Sequence, residues 1–307
     1  MKLGIKASLD RDSAAEITAA HPSMAEIWFN ATKTDDYSDL FAFIKRQPMD
    51  VGLHYWGALP NGLLTNIAYP DKEIVKQSLA LIYATIDVAA RNRFSYVNIH
   101  TDMRVLLNVN FDTMKVSVAS EPANLAVCTR TFLENVTAIK KYADDRGIVL
   151  TIETIPQRDT TNWSVNRPRT EVIDLYQLPI DVQLELGRRG FAIANDFGHT
   201  ACNMISDDRN RVWRFLYDTT KVLAPATRLI HLGFAIPPYN GLDFHDSLNN
   251  PVLDTADAIP NKKQMIELLK LFQHRDDVWI LVEPKDDHVK NYFLAREILE
   301  NAGVLTK

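Results

Sequence analysis

Short runs of apolar and β-branched residues recur along the chain at residues 2–7, 25–29, 51–54, 96–100, 148–153, 191–196, 228–232 and 278–283. Several are apolar almost without a break, as strands covered on both faces of a parallel sheet should be. Between them lie longer stretches whose apolar residues step by three and four, which places them on one side of a helix. Val75, Leu79, Ile82, Ile86 and Ala89 form one such stripe; Leu125, Cys128, Phe132, Val136, Ile139 and Ala143 form another. The second helix has a start signal at Ser120-Glu121-Pro122 and a glycine stop at Gly147. Further helices are expected over residues 35–45, 170–187, 209–223, 261–274 and 287–301.

Strict alternation of strand and helix implies parallel strands joined by helical crossovers. Eight such units in 307 residues fit an α/β fold with one domain, a single (β/α)8 TIM barrel over residues 1–307. No Gly-x-Gly-x-x-Gly or phosphate-loop pattern follows any strand, which weighs against an open doubly wound sheet. The connections are lopsided. Helix-to-strand links at residues 91–95, 146–147, 188–190 and 275–277 are short, whereas strand-to-helix links at 101–120, 154–169 and 233–260 are long. Barrel enzymes elaborate the loops at the C-terminal ends of their strands, so the chemistry is expected there.

Composition narrows the class. With 46% hydrophobic and 24% charged residues the chain is that of a globular protein able to bury a large core. A net charge of −5 argues against a global field for polyanions but permits a local basic groove. The two cysteines, Cys128 and Cys202, form no Cys-x-x-Cys, which excludes a disulfide framework or a cysteine-type zinc knuckle. No apolar stretch reaches 18 residues, so no membrane partner and a reduced, cytoplasmic setting are expected.

Histidines and carboxylates collect at the strand ends. His54 closes the third strand, His100 the fourth and Glu153 the fifth; Asp196 closes the sixth, with His199 three residues on. His231 ends the seventh strand, Asp243-Phe244-His245 follows in its long loop, and Glu283 closes the eighth. Barrel closure should gather these side chains into one ring. Ionised carboxylates at the end of an apolar strand are costly unless paired, and a dication resolves that cost. Imidazole with carboxylate is the ligand set of zinc, manganese or iron. His21, His274 and His288 fall outside the set, and Cys202 is read as packing. Tyr55 and Trp56, just after His54, are candidates to stack on a substrate.

These strand-end motifs resemble the xylose isomerase-like barrel superfamily, which holds sugar isomerases, epimerases and endonuclease IV. The likeness runs from Leu3 to about Ile298. The sugar enzymes carry one Glu-Asp-His-Glu metal site, matched here by Glu153, Asp196, His231 and Glu283. Endonuclease IV adds ligands matched by His54, His100, His199, Asp243 and His245. By this resemblance one ion takes His54, His100 and Glu153, and a second takes Glu153, Asp196, His231 and Glu283. A third takes His199, Asp243 and His245. Up to three Zn2+ are therefore implied, with Mn2+ or Mg2+ as alternatives. The chain departs from endonuclease IV around these residues. It has Leu232-Gly233-Phe234-Ala235 for Asn-Asp-Ser-Lys, Asp246-Ser247-Leu248-Asn249 for a glycine-rich stretch, and Thr154-Ile155-Pro156 for Asn-Thr-Ala-Gly.

Two activities follow as expectations. The leading one is phosphodiester hydrolysis, at abasic sites in DNA, with Arg104, Lys115, Arg158, Arg167 and Arg169 as candidate phosphate contacts. The alternative is isomerisation or epimerisation of a small sugar or sugar phosphate at the four-ligand core, with Glu153 and Glu283 as the catalytic pair that exchanges the proton beside the carbonyl.

Overall fold

The computed structural model describes residues 1–163 and 171–305. In chain order its elements are β1 (Lys2–Ala7), α1 (Ser13–Ala20), β2 (Met24–Asn30), α2 (Ser38–Ile44), β3 (Asp50–Trp56), α3 (Lys72–Asn92), β4 (Tyr96–His100), β5 (Leu107–Asn110), β6 (Lys115–Val118) and α4 (Leu125–Asp144). There follow β7 (Val149–Glu153), β8 (Arg158–Thr160), β9 (Val172–Asp174), α5 (Ile180–Arg188), β10 (Ala192–Asp196), α6 (Phe197–Ala201), α7 (Arg209–Leu223), β11 (Thr227–His231), α8 (Lys262–Lys270), β12 (Trp279–Leu281) and α9 (His288–Ala302).

Eight strands close a parallel barrel in the order β1-β2-β3-β4-β7-β10-β11-β12. β1 seals the ring against β12 through Lys2–Trp279 and Leu3–Ile280 pairing. The eight expected strands are the eight of the barrel, each within two residues at either end. No described helix is long and apolar enough to cross a membrane.

Several expected elements are corrected. α4 starts after Asn124, whose side chain accepts from the Val127 N–H at 3.2 Å, so the cap lies closer to the helix than Ser120-Glu121-Pro122. Residues 35–45 are a 3-10 turn, Ala31–Tyr37, followed by the short α2, because Lys33 leaves helical geometry. Of the helix expected over 170–187, the described residues from 171 onward hold α5 alone. Pro179 disfavours helical geometry in the residue before it, and β-branched Val172 and Ile173 pair with β8 instead. α1 was not anticipated: its sequence, Ser-Ala-Ala-Glu-Ile-Thr-Ala-Ala, offers a weak stripe, and an Asp12 cap on the Ala15 N–H sets its start. The long loop after β4 holds the β5-β6 hairpin.

The main core lies between strands and helices, where residues such as Ile27, Leu53, Val97, Phe132, Ile139, Leu216 and Leu268 are buried. The barrel interior is separate, and strand alternation layers it. The lower layer is apolar: Met24, Tyr96, Ala194, Leu229, Trp279 and Leu281. Gly52 belongs here because a Cβ would lie 2.0 Å from the Tyr96 ring. Two residues further along each strand the inward positions are Lys6, Glu26, His54, Asn98, Glu153, Asp196, His231 and, just past β12, Glu283. That layer is polar throughout.

Candidate metal centre

Glu153 sits at the centre of the upper layer, fully buried at the end of β7. Its Oε1 lies 3.0 Å from His231 Nδ1 and 3.5 Å from His199 Nδ1; its Oε2 lies 3.4 Å from His54 Nε2 and 3.6 Å from His100 Nε2. Asn98 donates to Oε2 and is itself fixed by the Thr151 hydroxyl at 2.8 Å. Glu283 reaches in from beyond β12, with Oε2 3.3 Å from both His231 Nδ1 and His245 Nε2.

Asp196 is held by its place at the β10–α6 junction. Its Oδ1 caps α6 by accepting from the His199 N–H at 2.9 Å, which turns Oδ2 toward His231 Nδ1 at 3.9 Å. The backbone passes close: a Cβ on Gly233 would stand 2.6 Å from Asp196 Oδ1, so only glycine fits after Leu232. The same turn orients His199, whose Nδ1 lies 2.7 Å from the Thr154 carbonyl. With Nδ1–H donated there, Nε2 is left as the ligand atom, 3.7 Å from Asp243 Oδ1.

Three expected ligand sets can be compared with the geometry. Ligand atoms of His54, His100 and Glu153 lie within 4.8 Å of one another, as do those of Glu153, Asp196, His231 and Glu283. The third set differs in membership: Asp196 joins His199 and His245, while Asp243 packs against both histidines through His245 Nδ1 and His199 Nε2. All nine residues thus share one pocket. Trp56 faces it, its ring 4.9 Å from His100 and 5.8 Å from His54. Tyr55 does not. Strand alternation turns it to the other side of β3, where its hydroxyl donates to Thr65 at 3.1 Å.

Sequence reasoning missed Lys6 and Glu26. Lys6 is 6% exposed and Glu26 is fully buried. The signal was present: a charged residue inside each of two apolar strand runs, at the inward phase. Lys6 Nζ lies 2.6 Å from Glu26 Oε1 and donates also to Glu283.

The pocket is strongly acidic. Glu26, Glu153, Asp196, Asp243 and Glu283 converge on one lysine, Lys6, and on imidazoles. Burial pushes Glu153 up, but His231, His54 and His100 outweigh it and hold the carboxyl well below its ordinary range. Burial likewise pushes His231 down, and Glu153, Glu283 and Glu26 overcome this to raise it well above the usual imidazole value. His199 is raised to about 9, where Asp196 and Glu153 outweigh burial. His100, at the rim, is lowered to about 3 by burial.

The donor set fits a divalent cation. Bonds of about 2.0–2.2 Å place ligand atoms no more than about 4.4 Å apart, close to the spacing present. Without an ion the buried carboxylates are balanced by Lys6 and by protonated imidazoles such as His199 and His231; a divalent cation would take over that countercharge as the histidines give up their protons. His100 and His245, with side chains 22% and 29% exposed, form the mouth.

No protein-family model matches the chain, and no curated protein matches it by sequence. Solved structures do resemble it. A D-tagatose 3-epimerase-like protein superposes with a TM-score of 0.65 at 16% identity, covering 98% of each chain. L-ribulose 3-epimerase gives 0.64 at 12% identity, over 98% of this chain and 94% of the other. What they share with it is the fold, a closed eight-stranded parallel (β/α)8 barrel. Endonuclease IV from Thermus thermophilus shares it as well, with a TM-score of 0.56 at 14% identity over 98% of this chain and 99% of that one.

Proposed function

We propose that this chain is a metal-dependent isomerase or epimerase of a small sugar or sugar phosphate. One observation carries the reading: the Glu153-Asp196-His231-Glu283 core opens beside an aromatic wall. Trp56 stacks on Trp28 with ring centroids 6.1 Å apart, and Trp163 meets Trp56 at 5.2 Å, with Phe111 at 5.6 Å from Trp28. Aromatic faces suit the C–H faces of a sugar. Two of the arginines considered for phosphate are committed elsewhere. Arg158 pairs with Asp174 at 2.6 Å and donates to the Asn240 carbonyl; Arg104 donates to the Ala123 carbonyl and lies over Tyr176. Lys115 is exposed on the hairpin, and Arg167 and Arg169 lie outside the described residues. The epimerases among the structural neighbours support the same reading.

Glu153, Asp196, His231 and Glu283 would hold the ion, with Zn2+, Mn2+ or Mg2+ as candidates. A bound divalent ion supplies Lewis acidity toward the carbonyl and hydroxyl oxygens of a ketose. The chain supplies the rest. Glu153 Oε1 and Glu283 Oε2 both lie beside His231 Nδ1, at 3.0 and 3.3 Å, and in this reading one carboxylate takes the proton beside the carbonyl while the other returns it. Asn98 keeps Glu153 in place, and the aromatic wall with Trp56 excludes water from the sugar's apolar face.

The test is proton exchange in D2O. Purified protein with Mn2+ or Zn2+ is offered a panel of ketopentoses, ketohexoses and their phosphates, and deuterium at the carbon beside the carbonyl is read by NMR. Exchange that disappears on chelation and in Glu153→Gln is expected. Phosphodiester hydrolysis remains as the second reading, because the His54-His100-Glu153 and Asp196-His199-His245 groupings flank the core and could hold further ions. Incision of abasic duplex DNA with no exchange on any ketose would move the assignment there, with DNA as the partner.

A further inference from the structure

A fourth grouping of buried ligand atoms lies beside the expected three: Glu26, His54, His231 and Glu283, all within 4.8 Å of one another. Lys6 reaches into this space from β1. Its Nζ is 2.6 Å from Glu26 Oε1 and 2.6 Å from His54 Nδ1, and it donates to Glu283 Oε1. Three of the four members therefore already touch a cation, one that is covalently tethered to the barrel.

We propose that the Lys6 ammonium stands in for a metal ion in this fourth grouping, filling it permanently and confining divalent metal to the neighbouring groupings that contain Asp196. The inference rests on the reading that those neighbouring groupings bind metal.

The geometry is that of a satisfied site. An ammonium has three N–H donors; Glu26 Oε1 and Glu283 Oε1 accept two of them, and His54 Nδ1 accepts the third when that ring carries its hydrogen on Nε2. A buried ammonium must be paired, and a buried carboxylate such as Glu26 needs a counter-charge whatever the metal supply. A tethered cation meets both needs because it cannot dissociate.

The arrangement also divides the shared ligands. Glu283 gives Oε1 to Lys6 and presents Oε2 to His231 and His245. Glu26 gives Oε1 to Lys6, with His231 Nε2 3.2 Å away, and its Oε2 accepts from the Tyr96 hydroxyl at 3.0 Å. Glu26 is thus turned away from the core and faces the far nitrogen of His231, leaving Nδ1 toward Glu153, Asp196 and Glu283. A second cation on Glu283 Oε1 would meet the ammonium at close range in a low-dielectric pocket, where like charges repel strongly.

Removing the ammonium should open the grouping. Lys6→Met keeps the apolar stem and deletes the charge. Wild type, Lys6→Met and the double variant Lys6→Met/E26Q are purified with Mn2+ throughout, and bound Mn2+ per chain is counted by elemental analysis after desalting. Thermal midpoints are recorded with Mn2+ and after chelation. Lys6→Met should carry one more Mn2+ than wild type and gain more in midpoint when Mn2+ is added. The double variant, lacking the Glu26 charge, should return to the wild-type count, and Lys6→Arg should never exceed it.

A Lys6→Met protein with no additional Mn2+ overturns the proposal, and so does one that fails to fold even with Mn2+ present, since metal then cannot replace the ammonium. Wild type that binds no Mn2+ at all would count against the metal reading of the other groupings. Even then, one ion in Lys6→Met would uphold the role of Lys6, and none would overturn it.

Discussion

Tyr96 and Asn98 leave β4 on the same side, two residues apart, and enter different environments. Tyr96 packs among Met24, Leu229, Trp279 and Leu281, a closed apolar plug at the bottom of the barrel. Asn98 lies among Glu153, Thr151 and the histidines above it. The same alternation on all eight strands builds both layers, so position along the strand, not secondary structure, decides what each layer can do. The plug is complete without any ligand. The layer above it concentrates carboxylates that a cation would relieve, and stability and chemistry are therefore separated by one step of the strand repeat.

That separation can be broken from either side. Leu229→Ala in the plug should cost about 2–5 kcal/mol of folding stability by chemical denaturation, because a fully buried side chain leaves a cavity. The metal content of the molecules that fold should be unchanged. Asp196→Asn in the layer above should do the opposite: at least one ion per chain lost by elemental analysis, with little loss of stability in the metal-free protein, since a buried carboxylate among others is removed. Equal effects of both changes on metal and stability would dissolve the distinction.

Tyr96→Phe probes the join between the layers. The hydroxyl donates upward to Glu26 Oε2 at 3.0 Å, so its loss leaves a buried carboxylate oxygen without that donor and should cost about 1–3 kcal/mol. A plug independent of the charged layer would show no cost.

The strands were legible because parallel strands covered on both faces read as unbroken apolar runs, and the ligand residues because each ends such a run. His54, His100, Glu153, Asp196, His231 and Glu283 needed only chain alternation and barrel closure to be placed together. Lys6 and Glu26 were harder. Each lies inside its run, and whether it faces the pocket depends on pairings such as Lys6 opposite Glu26, which tie β1 to β2. Tyr55 fails for the complementary reason: adjacent to His54, it leaves β3 on the opposite side. Asp196 joining His199 and His245 rests on the α6 cap, a local turn that spacing alone does not reveal.

Smaller effects sharpen the contrast further. Trp56→Ala should raise KM roughly tenfold for any ketose that reacts in the D2O exchange assay, consistent with about 1–1.5 kcal/mol of lost stacking, while metal content stays the same. At the N-terminal end of the barrel, Asp277 takes two hydrogen bonds from Arg275 at 2.6 and 2.9 Å. The Arg275 hydrogen bonds hold its carboxyl below the ordinary value of 3.8. Its contribution is therefore present above that pH and fades as pH falls through the lowered value. Asp277→Asn should cost under about 1 kcal/mol near neutrality, measured by denaturant titration, because the pair is partly exposed. The cost should vanish in strong acid.

Anomalous diffraction from crystals grown with Zn2+ tests the metal centre itself. A zinc peak about 2.0–2.2 Å from carboxylate oxygens of Glu153, Asp196 and Glu283 and from His231 Nδ1 is expected. Ordered side chains at those four positions with no peak between them, at saturating Zn2+, would contradict it.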